Sequence, residues 1–146
     1  MWTLRNKFAK TGLHIDGIDF LSPREAGILL EGDAILIDLR EGLEKNGREF
    51  NVKNLISLSY LRLQSEFSSL QKDQPLIVAD CVGVQSKEAV RFLQAQGFES
   101  VASLIGGMVD WEKDGMPVIV DPDNELTGQC GCRLRRKRLG PPRSER

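Results

Sequence analysis

The sequence is poor in several residue types. One histidine, one tyrosine and three cysteines stand among 146 residues, and aromatic side chains make up 6%. A lone histidine, His14, near the N-terminus leaves no Cys–His pair of the papain type in view. No apolar run approaches the roughly 20 residues that span a bilayer, so no membrane partner is expected. Three cysteines are an odd number, and Cys130 and Cys132 are only two apart, a poor disulfide framework for a secreted fold. Free thiols in a reducing compartment fit better. The stretch Met1–Lys7 lacks an apolar h-region and a small-residue cleavage site, so a cytoplasmic protein is the expectation. No internal repeat is visible.

What is present is ordinary for a soluble globular chain: 40% apolar and 28% charged residues. The length suits one domain with one core. The net charge of −1 hides a split. Residues 133–146 hold seven Lys/Arg and one Glu, which leaves 13 basic and 20 acidic residues in the rest. The body is acidic and the tail basic.

Residues 1–17 are weakly patterned and read as an N-terminal extension leading into a strand near Ile18-Asp19-Phe20. Ser22, Pro23 and Glu25 form a helix start, with Ala26, Leu29 and Leu30 inward and Gly32 as the stop. Ala34–Asp38 and Pro75–Asp80 are short, nearly continuous apolar runs, as buried parallel strands require. Leu55–Leu58 and Ser100–Ile105 are further strands, whereas residues 41–54 read as loop. Tyr60, Leu63, Phe67 and Leu70 predict an amphipathic helix, and Lys87–Gln96 another, closed by Gly97. Gly106-Gly107 turns into a short helix carrying Met108 and Trp111, stopped by Gly115 and Pro117. The alternation predicts an α/β fold: a small parallel sheet with helices on both faces, over residues 18–121. Residues 122–146 are expected to form a flexible C-terminal tail.

The segment that carries chemistry is Cys81-Val82-Gly83-Val84-Gln85-Ser86, between a buried strand and a helix. Ligands of open α/β sheets bind beyond the carboxyl ends of the strands. A tight loop entering a helix N-terminus aims backbone N–H groups at one point, where they favour a thiolate or an anionic persulfide. Gly83 can supply a positive φ, and Ser86 is a candidate N-cap with Glu88 in the first turn. Asp80 precedes the nucleophile, and strand alternation would point it to the other side. The plain alternative is that Cys81 is a small buried apolar residue.

From about Asp19 to Val120 the chain resembles a single rhodanese domain. The resemblance rests on an ordered set of segments: Asp38-Leu39-Arg40 after a strand, the six-residue loop Cys81–Ser86 followed by Lys87, Gly97-Phe98 with Val101, and Gly106-Gly107…Trp111…Gly115-Met116-Pro117. It implies sulfur transfer by double displacement: Cys81 takes sulfane sulfur from thiosulfate, a polysulfide or a persulfide and passes it to a thiol or cyanide acceptor. Cys81 would be catalytic, with Val82, Gly83, Val84, Gln85, Ser86, Lys87 and Arg40 around the substrate. No cofactor or metal is implied. Two departures stand out: Val82–Ser86 holds no cation, and Gly47-Arg48-Glu49-Phe50 replaces the family's Gly-His-Ile-x-Gly-Ala segment. The related dual-specificity phosphatases have a loop one residue longer that closes on Arg, so this loop suits sulfur rather than phosphate. A non-catalytic persulfide carrier acting with a partner protein is the alternative.

Several residues have plainer readings. Asp38 and Arg40 suit a structural ion pair better than a donor contact, and Trp111 and Met108 belong to the core. His14 is given no catalytic role. Cys130 and Cys132 are candidates for a second sulfur station that takes the atom from Cys81, and two thiols alone make a weak metal site. The basic run Arg133, Arg135, Arg136, Lys137 and Arg138 could meet RNA or an acidic protein, but lacks interleaved aromatics for stacking on bases.

Overall fold

The computed structural model describes Phe8 and residues 11–121. It opens with a hairpin, β1 (Leu13–Ile15) against β2 (Ile18–Leu21). Its two-residue turn is Asp16-Gly17, both at positive φ (53° and 78°), as tight hairpin turns that match strand twist demand. Part of the stretch read as an extension is therefore an edge strand of the sheet. The Asp-Gly pair was its signal.

Helix α1 (Pro23–Leu30) starts as the sequence predicts. The Ser22 hydroxyl accepts the Glu25 amide at 3.2 Å, and the Glu25 carboxylate accepts the Ser22 amide at 2.9 Å. β3 (Ile35–Asp38), β6 (Leu76–Ala79) and β7 (Val101–Leu104) are largely buried strands where the sequence predicts strands, and β5 (Leu55–Ser57) is the predicted short strand, at the sheet edge. The six-stranded sheet runs in the order β1-β2-β7-β6-β3-β5, parallel throughout except for β1. The stretch 41–54 is more than a loop. It holds a 3-10 turn (Gly42–Lys45) and β4 (Arg48–Phe50), which pairs antiparallel with β8 (Val118–Val120). Three-residue strands carry too little periodicity to be read locally, and their pairing joins segments about 70 residues apart.

Helix α2 (Tyr60–Glu66) is capped by Ser59 and tightens into a 3-10 turn over Phe67–Ser69, so the predicted helical face is shared by two elements. On its exposed side Arg62 and Glu66 pair at 2.8 Å; the shared hydrogen bond raises the guanidinium pKa and lowers the carboxyl pKa. Helix α3 spans Gln85–Ala95 and α4 spans Gly107–Lys113.

The helices cover both faces of the sheet. Ala26 and Leu30 of α1 with Met108 and Trp111 of α4 pack on Leu36, Ile77, Ala79, Ala102 and Leu104. Leu63 of α2 with Ala89, Val90 and Leu93 of α3 packs on Ile37, Leu76, Val78 and Val101. Alternate residues of each strand thus feed opposite layers, which is why the strands read as unbroken apolar runs. Phe8 is fully buried in the first layer.

Candidate active site

Cys81 follows the carboxyl end of β6, which lies between β3 and β7. The chain leaves β3 towards β5 and leaves β6 towards β7, in opposite directions across the sheet. The carboxyl ends of β3 and β6 therefore bound a topological switch point, where such sheets bind ligands. Cys81 is half-buried, and its neighbours Val82 and Val84 are 46% and 64% exposed.

The loop is shorter than the sequence suggests. Helix α3 begins at Gln85, so Ser86 lies inside its first turn and is not the cap. The N-cap position is Val84, which has no capping oxygen. Ser86 is fully buried, and its hydroxyl shares a 2.6 Å hydrogen bond with Ser103 on β7. That hydroxyl is turned to the sheet, away from any donor arriving from solvent.

Asp80 supplies the missing cap. It is 4% exposed; Gly83 N–H donates to one carboxylate oxygen at 2.5 Å, and Gln85 N–H to the other at 2.6 Å. Asp80, expected by strand alternation to point to the side opposite Cys81, turns its carboxylate into the loop that follows. β6 ends at Ala79, so strand alternation no longer governs residue 80. An aspartate followed three residues later by glycine is the signature of a side chain closing its own turn, and could have signalled this role.

The rear of the loop is held by α4. Met108 N–H donates to Asp80 O at 2.9 Å and Val109 N–H to Cys81 O at 3.2 Å. These bonds fill two orphan donors of a helix N-terminus and hold the backbone of Asp80 and Cys81. The approach is close: a Cβ on Gly107 (φ 59°) would lie 2.7 Å from Cys81 C and 2.8 Å from Cys81 O. Gly83 (φ 93°) passes the Gly106 backbone, where a Cβ would come within 3.0 Å of Gly106 N.

Arg40 forms the ion pair with Asp38 that the sequence favours over a donor contact. It is 2% exposed and grips Asp38 with Nε and Nη2 at 3.0 and 2.9 Å. Its other bonds go to the carbonyls of Lys45 (3.4 Å) and Arg48 (2.9 Å), and the guanidinium lies 5.1 Å from the Phe50 ring centroid. It ties β3 to the 3-10 turn and β4 and presents no face to solvent. Lys87 is exposed on α3. His14 bonds to Asp19 within the hairpin, away from the Cys81 loop.

Cys81 is disulfide-bonded in this structure. The chain's other cysteines, Cys130 and Cys132, and the basic run 133–138 lie outside the described residues. A protein or RNA partner for that run finds no support. A cavity of about 440 Å³ lies between α1 and Val52, Trp111 and Met116, and contains no residue of the Cys81 loop. Among the described residues there is no cluster suited to a metal ion and no helix long and apolar enough to cross a membrane.

A mostly parallel sheet flanked by helices, with a cysteine at its switch point, defines a rhodanese-like fold. The family comparison agrees: residues 22–114 match the rhodanese-like domain, and the chain belongs to that family as a rhodanese-type sulfurtransferase. One relative, the thiosulfate sulfurtransferase GlpE of Actinobacillus pleuropneumoniae, is 34% identical over 100 residues, covering 67% of this chain and 90% of its own. The rhodanese-related protein of Thermoplasma volcanium superposes with a TM-score of 0.62 at 23% identity, over 69% of this chain and 97% of that one. A possible tyrosine phosphatase from Rhodopseudomonas palustris gives 0.61 at 22% identity, over 71% and 85%. These last two share the fold.

Proposed function

We propose that Cys81 carries sulfane sulfur as a persulfide between a donor (thiosulfate, a polysulfide or a thiol persulfide) and a thiol or cyanide acceptor. The observation that carries this reading is the position of Cys81 at the carboxyl end of β6, fixed from behind by Met108 and Val109. The thiolate attacks the outer sulfur of the donor. The donor's S–S bond breaks, the leaving group departs with the electron pair, and the acceptor repeats the attack on Cys81–S–SH. A relative named for thiosulfate supports that donor class. A nucleophile that works as a thiolate needs a reducing compartment, which favours the cytoplasm. Mass spectrometry of the reduced chain after incubation with thiosulfate or polysulfide is expected to show one added sulfur atom on Cys81. No addition, or equal loading of a Cys81→Ser variant, overturns the reading.

A second station for the sulfur is a further reading, which rests on the sequence. The only other thiols in the chain are Cys130 and Cys132. Attack by one of them on the outer persulfide sulfur moves the sulfur onto the tail and returns the Cys81 thiolate. Attack on the Cys81 sulfur itself releases hydrosulfide and leaves Cys81 in a disulfide, the sulfane sulfur being reduced as the two thiols are oxidised. Deleting residues 128–146 is expected to slow sulfur release and spare loading. Unchanged release removes the relay.

A further inference from the structure

We infer that this site selects against dianionic thiosulfate and takes its sulfur from thiol persulfides, R–S–SH, with Asp80 setting the preference. The inference rests on the reading of Cys81 as the persulfide carrier and names the donor class for that site.

A loop that binds an anion does so with converging backbone N–H groups and a helix N-terminus. Here an internal anion already holds that position. The Asp80 carboxylate engages Gly83 N–H and Gln85 N–H, the second of which opens α3. The same charge offsets the positive end of the α3 dipole. A dianion approaching Cys81 meets a buried carboxylate from the adjoining residue, and two of the loop's amides are spoken for.

Among the described residues of the loop and of β3, no side chain compensates. The Ser86 hydroxyl is bonded to Ser103, and the Arg40 guanidinium is held by Asp38 and two carbonyls. Val82 to Ser86 contains no cation, and exposed Lys87 acts through solvent, where its charge is screened. The loop also exposes two apolar side chains, Val82 and Val84, beside the uncharged Gln85. Such a surface suits the carbon body of an organic persulfide better than the oxygens of thiosulfate.

The step balances without a further reactant. The Cys81 thiolate attacks the outer sulfur of R–S–SH, the S–S bond breaks, and RS⁻ leaves with the electron pair. The proton stays on the transferred sulfur, giving Cys81–S–SH.

The test uses the reduced full chain, with thiosulfate and the persulfide of N-acetylcysteine methyl ester as donors, and reads the rate of Cys81 loading. The wild type is expected to favour the alkyl persulfide. Its thiosulfate rate is expected to rise with added salt, because salt screens like-charge repulsion. Asp80→Asn removes the charge and keeps one acceptor oxygen. It is expected to raise the thiosulfate-to-persulfide ratio of kcat/KM by about tenfold or more, the direction Coulomb repulsion dictates. A ratio unchanged in Asp80→Asn, or a wild-type thiosulfate rate that falls with salt, overturns the inference while leaving Cys81 as carrier. The salt arm needs no variant, so it decides the matter even if Asp80→Asn does not fold. Loading by neither donor overturns the Cys81 reading, and this one with it.

Discussion

Replacing Arg40 by methionine separates structure from substrate contact. Methionine keeps an unbranched apolar stem and removes the guanidinium and its charge. Asp38, fully buried, loses two guanidinium bonds of 3.0 and 2.9 Å and keeps the amide of residue 40 at 3.1 Å. The carbonyls of Lys45 and Arg48 lose their donors as well. Breaking one side of a buried ion pair costs roughly 3–5 kcal/mol, because the remaining charge stays uncompensated. Against a total stability of about 5–15 kcal/mol this is a large share. In a domain of this size it lowers Tm by more than about 10 °C. Thermal and urea denaturation read the loss. Asp38→Leu/Arg40→Met, which removes both charges, is expected to be less destabilised than Arg40→Met alone. Below the transition, where Arg40→Met is still folded, Cys81 loading is expected to stay within a few-fold of wild type. A Tm within about 2 °C of wild type, together with a large fall in kcat/KM, would refute this reasoning and restore Arg40 to the donor site.

Two further substitutions probe the loop's supports. Gly107→Ala places a methyl group against the Cys81 carbonyl at positive φ, and is expected to cost about 3 kcal/mol or more and to slow loading; native Tm and loading together would show that α4 does not fix the nucleophile. Ser86→Ala leaves the Ser103 hydroxyl buried without its partner and is expected to cost about 1–3 kcal/mol, with part recovered in Ser86→Ala/Ser103→Ala. A donor-binding role for Ser86 would show instead as a raised KM at unchanged stability.

The sequence was most legible where local patterns are strong. The apolar runs of β3 and β6, the Ser22 capping box and the Gly106-Gly107…Trp111 segment each carry their own physical reason within a few residues. The sequence was least legible where partners are distant. β4 and β8 are too short to show periodicity and exist through each other. β1 was visible only in its Asp16-Gly17 turn. The site divides along the same line. Cys81 is marked by what precedes and follows it and Asp80 by the turn it closes, whereas the occupations of Ser86 and Arg40 are settled by groups beyond their own strand or turn.

The sequence by itself determined that this is an α/β chain with a cysteine between a buried strand and a helix. Periodicity, capping and loop length are properties of neighbouring residues, and need no knowledge of the rest of the fold. Only the tertiary structure decided which polar groups remain free to meet a donor. Sheet order brings Ser103 to Ser86, β4 and the 3-10 turn to Arg40, and the α4 N-terminus to the carbonyls of Asp80 and Cys81. Buried polar groups take partners wherever packing supplies them. Here they take them from one another, and the Cys81 loop is left with exposed Val82 and Val84 and a buried Asp80 carboxylate bonded to its backbone.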